Sequence, residues 1–94
     1  MTTIRIGNHE FDTVAYDAAG DVLYLSKGEP EPADETLASP EGHAVRLDGE
    51  GEVIGLTLVN ARWLIDREGK ITVTVPERIE ATERDVAAAL AAST

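Results

Sequence analysis

Apolar and polar residues alternate with a period of two over much of this chain, the pattern of strands that bury one face. The clearest case is 44–59, AVRLDGEGEVIGLTLV, two apolar runs joined by a glycine-bearing turn. In the first run Val45 and Leu47 share one face, with Ala44, Arg46 and Asp48 on the other. In the second, Ile54, Leu56 and Leu58 share a face opposite Val53, Gly55, Thr57 and Val59. Both of its faces are largely apolar, which predicts a central strand covered on both sides. Gly55 inside that strand predicts a bulge or a close backbone approach.

The same alternation predicts a short strand at Ile4–Ile6, closed by a turn at Gly7-Asn8-His9, then strands at Thr13–Asp17 and Asp21–Leu25. The stretch Ala61–Ile65 reads as a further strand or an irregular crossing, and Ile71, Val73 and Val75 alternate with threonines as a strand with one polar face. Three segments share the form Asp-x-x-Gly: 17–20, 48–51 and 66–69. Asp starts such a turn because its side chain bonds the backbone ahead, and Gly ends it because it tolerates positive φ. Near the C-terminus the period changes. Thr82-Glu83-Arg84-Asp85 reads as a capping box, and Val86, Ala89 and Leu90 form an i, i+3, i+4 stripe, so a helix of about three turns follows. The predicted fold is α+β: a small antiparallel β-meander of five or six strands with a C-terminal helix, about 83–92, packed on it, in a single domain spanning 1–94.

Segment 27–42 breaks the pattern. It holds Pro30, Pro32 and Pro40 and little apolar content, so it reads as an acidic surface loop with a short helical turn near Ala33–Ala38. Between Gly28 and Gly42 lie Glu29, Glu31, Asp34, Glu35 and Glu41 and no base. The whole chain has 18 acids against 8 bases, a net charge of −10. That balance argues against nucleic acid and against an anionic membrane surface; it serves solubility first and, alternatively, steers a basic partner by electrostatics. No run approaches the ~20 apolar residues that span a bilayer, and the first ten residues carry no cleavage pattern, so a cytoplasmic location is expected.

The search for chemistry nominates little. With no cysteine, thiolate nucleophiles and Cys-ligated zinc are excluded. His9 and His43 lack metal-binding spacing and read as surface residues near strand ends. No serine sits in a Gly-x-Ser-x-Gly turn, and no glycine-rich phosphate loop is present. No catalytic residue, metal ligand or cofactor is therefore assigned. Tyr16 and Tyr24 read as core or cross-strand residues of the first hairpin. Trp63 reads as a buried structural residue or, alternatively, as an interface anchor.

The pattern Tyr16-Asp17…Asp21-x-Leu23-Tyr24, then Leu47-Asp48-x-x-Gly51-x-Val53-x-Gly55-Leu56, resembles a family of small prokaryotic domains of unknown function. The likeness covers Val14 to about Val59 and departs at Thr57, near where that family carries a glutamate. It implies an antiparallel β-rich fold and no established activity. Some members are encoded beside small basic toxin-like proteins, so the resemblance implies an antitoxin-like role.

The functional expectation is a non-enzymatic, acidic protein-interaction module that binds a small basic protein, with Glu29, Glu31, Asp34, Glu35 and Trp63 as partner-binding residues. A sheet this small leaves an open face or edge, which predicts a homodimer. The alternative is a domain that binds a small molecule or divalent metal through the turn aspartates Asp17, Asp21 and Asp48.

Overall fold

The computed structural model describes residues 3–27, 35–75 and 77–92. Its centre is a five-stranded antiparallel sheet made of β3 (Thr13–Asp17), β4 (Val22–Ser26), β5 (Glu35–Ala38), β6 (Ala44–Leu47) and β7 (Val53–Val59), in the order β3-β4-β7-β6-β5. A hairpin of β1 (Ile4–Ile6) and β2 (His9–Phe11) and a ribbon of β8 (Lys70–Val73) and β9 (Ile79–Thr82) accompany it. Two helices complete the chain, α1 (Ala61–Glu68) and α2 (Glu83–Ala92). The α+β class, the antiparallel sheet and the C-terminal helix all match the sequence reading; the strand order is not a meander, because β4 pairs with β7 and β5 lies at the far edge.

The alternation translates directly into a core. Leu23 and Leu25 of β4 pair in register with Leu58 and Leu56 of β7, and Val45 of β6 pairs with Leu56; all are buried. Ile4, Ile6, Phe11, Ile71, Val73, Ile79 and Ala81 from the two small ribbons join them on the same side of the sheet. Val86 and Ala89 of α2 close that core, with Leu90 half-buried beside them. The predicted capping box is present: Asp85 N–H donates to Thr82 Oγ1 and Thr82 N–H donates to Asp85 Oδ2, each at 3.1 Å. It satisfies two N–H groups at the start of a helix too short to stand alone in water.

Gly55 marks both a bulge and a close approach. Opposite Arg46 and Leu47 the register jumps from Gly55 to Val53, skipping Ile54. A Cβ at Gly55 would lie 3.2 Å from the Leu25 carbonyl oxygen and 3.3 Å from Arg46 Cδ. The bulge reverses the alternation, so Val53 is buried in the core rather than facing out as simple periodicity predicts.

Other expectations are corrected. Residues 35–38 are an edge strand, not loop or helical turn, because β6 offers a free edge and fixes Leu37 opposite Val45. His9–Glu10–Phe11 is a strand: the turn ends at Asn8, and Gly7 takes the positive φ of 61°. The third Asp-x-x-Gly is the end of α1, with Gly69 at φ 76° and its N–H donating to the Ile65 carbonyl, a helix C-cap rather than a hairpin. Residues 61–68 are helical, although the neighbouring segments are extended. Ala61, Leu64 and Ile65 do form a helical i, i+3, i+4 stripe, but five residues are too few to separate it from a strand by period alone.

Candidate interaction surface

The three turn aspartates do not meet. Val22 pairs with Val59, so the 17–21 turn lies beside the end of β7, whereas the 48–52 turn leads into its start at Val53. Asp48 is thus at the opposite end of the sheet from Asp17 and Asp21. Asp17 and Asp48 also each have one carboxylate oxygen engaged within their own turns. Asp17 Oδ1 accepts from the N–H groups of Ala19 and Gly20. Asp48 Oδ1 accepts from Glu50 and Glu52, both at 2.9 Å. Among the described residues no three His, Asp or Glu side chains group so as to hold a metal ion.

Asp21 has a role that sequence spacing does not reveal. It sits at φ 54° in the left-handed region, where Gly20 would be the natural occupant. From there its carboxylate reaches 41 positions along the chain to cap α1: Arg62 N–H donates to Oδ1 at 2.9 Å and Trp63 N–H to Oδ2 at 3.1 Å. Its carbonyl accepts from Ala61 N–H, and Tyr16 donates its hydroxyl to Oδ1 at 2.7 Å. Asn60, the formal N-cap, makes no side-chain capping bond, so Asp21 replaces it. Partial burial raises the Asp21 pKa, but the Tyr16 hydroxyl, the two amide donors and the Arg62 charge outweigh burial and hold it below the ordinary aspartate value. The same bond, with some desolvation, raises the Tyr16 phenol. Tyr16 faces the core beside Leu23, whereas Tyr24 pairs with Ala15 and faces out, so the two rings are on opposite faces of the hairpin.

His43 is buried, with 4% of its surface exposed, contrary to the surface position read from sequence. Its Nδ1 accepts from Val59 N–H at 3.0 Å, which assigns the proton to Nε2. Its backbone exchanges bonds with Ser39, whose N–H donates to the His43 carbonyl and whose Oγ accepts from His43 N–H. The ring therefore staples the β5–β6 connection to the end of β7. A cleft of about 170 Å³ opens beside it, lined also by Glu41, Leu64, Glu68, Lys70 and Thr72. With one nitrogen accepting and the other protonated, His43 has no lone pair to offer a metal or a substrate proton. Burial lowers its pKa, against the opposing charge of Glu41.

Of the sequence-nominated partner residues, Glu29, Glu31 and Asp34 lie outside the described residues. Glu35 opens β5 and pairs with Leu47, which puts it next to the 48–52 turn. Glu35, Asp48, Glu50 and Glu52 therefore share one end of the sheet. Lys27 lies at the same end, over the Phe11 ring, 5.9 Å from its centroid. Trp63 is 53% exposed on α1, not buried, and the Arg67 guanidinium stacks over it at 5.0 Å. Among the described residues Trp63 and Tyr24 are the exposed large apolar ones.

Tyr24 belongs to a surface that the sequence reading did not delimit. The outward side of the five-stranded sheet carries Thr13, Ala15, Asp17, Val22, Tyr24, Ser26, Thr36, Ala38, Ala44, Arg46, Gly55, Thr57 and Val59. Gly55 alone among these is buried, so no described element packs over this face: β7 is central, as expected, but is covered on one side and not on both. Comparison of the chain with family models, with curated proteins and with solved structures finds no match in any of the three. Among the described residues no helix is long and apolar enough to cross a membrane.

Proposed function

We propose that this chain is an acidic protein-interaction module, antitoxin-like in kind, whose partner is a small basic protein. The observation that carries this reading is the pairing of Glu35 beside the 48–52 turn. Glu35 and the turn with Asp48, Glu50 and Glu52, distant in sequence, thereby meet at one end of the sheet. A concentrated field of one sign speeds encounter with a partner of the other and selects against acidic competitors.

The test is capture by the tagged chain from lysate of the native source, followed by association kinetics with the small basic protein recovered. The association rate should fall as salt rises. It should also fall in a Glu29→Gln/Glu31→Gln/Asp34→Asn/Glu35→Gln variant and in a Glu50→Gln/Glu52→Gln variant. An association rate indifferent to salt and to both variants would refute the acidic end as the binding surface.

A further inference from the structure

We infer that the outward face of the five-stranded sheet is a self-association surface on which a second copy of this chain packs face to face. The inference is independent of the basic-partner reading and uses a face of the sheet rather than its acidic end.

The first argument is charge. Of the thirteen residues on this face only Asp17 and Arg46 are charged, one of each sign, on a chain with 18 acids and 8 bases. The face is therefore the neutral part of a strongly acidic molecule. Depletion of charge with a central aromatic is the composition of interface cores.

The second argument is shape. Register places one row across the sheet: Ala15, Tyr24, Thr57, Ala44, Ala38. Tyr24, 44% exposed, projects on one side of β7, and two alanines leave a hollow on the other. A two-fold axis along β7 sets Tyr24 of each copy over Ala44 of the other and Ala15 over Ala38, with Thr57 on the axis. Such an isologous contact fills both hollows with the same ring and keeps the strands of the two sheets aligned.

The third argument is area. Five strands at about 4.8 Å spacing and about five residues at 3.3 Å give a footprint near 24 by 17 Å. Corrugation raises this to on the order of 500 Å² per copy, so about 1,000 Å² in total, the lower limit for a specific interface. An interface at that limit fits a weak, reversible dimer.

Sedimentation equilibrium of the full chain, from about 5 to 500 µM at low and high NaCl, tests this. Self-association of a −10 chain should strengthen as salt screens the repulsion, the opposite of the dependence expected for a basic partner. Tyr24→Arg and Ala44→Glu should each weaken the dimer about tenfold or more, and the double variant should recover it, because the two positions meet across the axis. Trp63→Arg should leave it unchanged. If Tyr24→Arg fails to fold, Ala15→Glu, at an exposed edge position, replaces it. A monomer at every concentration and salt overturns the inference. So does a dimer that survives the single variants, a double variant that stays monomeric, or a dimer broken by Trp63→Arg.

Discussion

Replacing Asp21 should loosen α1, a helix it touches only through space. Asp21→Ala removes the acceptor for the Arg62 and Trp63 N–H groups, strips a carboxylate from the positive end of the helix, deprives the Tyr16 hydroxyl of its partner and forces alanine to φ 54°. Loss of a cap costs about 1 kcal/mol. The helix-dipole contribution is about 0.5 kcal/mol. Left-handed alanine adds about 1 kcal/mol. The Tyr16 bond, half-buried and partly replaced by water, adds about 0.5 kcal/mol. The sum is about 3 kcal/mol, a large share of the roughly 5–15 kcal/mol that holds a domain together. Asp21→Asn tolerates the same φ and keeps one acceptor oxygen, so it should cost only about 1 kcal/mol. Asp17→Ala, which breaks only exposed bonds within its own turn, should cost about as little. Urea unfolding followed by far-ultraviolet circular dichroism measures these costs. The fluorescence of Trp63, the only tryptophan, reports on α1 itself. An Asp21→Ala cost no larger than that of Asp17→Ala, with an unchanged Trp63 spectrum, would show that α1 does not depend on the remote cap.

Two further outcomes follow from buried groups. The His43 pKa is lowered by burial, and protonating Nδ1 breaks its bond from Val59 N–H. The unfolded chain therefore binds the proton first, and stability should fall as pH drops below about 6.5 toward the folded value while staying level above it. Chemical denaturation between about pH 5 and 8 should show that slope in the parent and a flatter one in His43→Gln; equal slopes would remove His43 as its source. Glu41, Glu68 and Lys70 are the charged residues that line the cleft beside the ring. Gly55→Ala should destabilise by about 1–3 kcal/mol, because its methyl meets the Leu25 carbonyl at 3.2 Å. A neutral result in thermal unfolding would mean that β4 and β7 separate freely at the bulge.

Much of the fold was written locally. Strands that bury one face announce themselves by alternation, so Val45, Leu47, Leu56 and Leu58 were legible as core without knowing their partners. The turn at 48–51 was equally legible, because Asp48 and Gly51 (φ 81°) complete it between themselves. So was the cap of α2, where Thr82 and Asp85 are three residues apart. These features depend on contacts within a few residues, which is the range over which a sequence pattern carries information.

What tertiary structure decided lies beyond that range. The helix α1 is capped through space by Asp21 of another hairpin, while Asn60, a residue type that marks helix starts, makes no side-chain capping bond. His43 is buried because β7 supplies the N–H that its ring accepts, 16 positions away. Glu35 joins the 48–52 turn, and Tyr24 joins Ala44 and Ala38 on one face, only once the strand order β3-β4-β7-β6-β5 is set. Period two says that a strand has an inner and an outer side. It does not say which strand lies next to which, and the surface of this protein is made by that choice of neighbours.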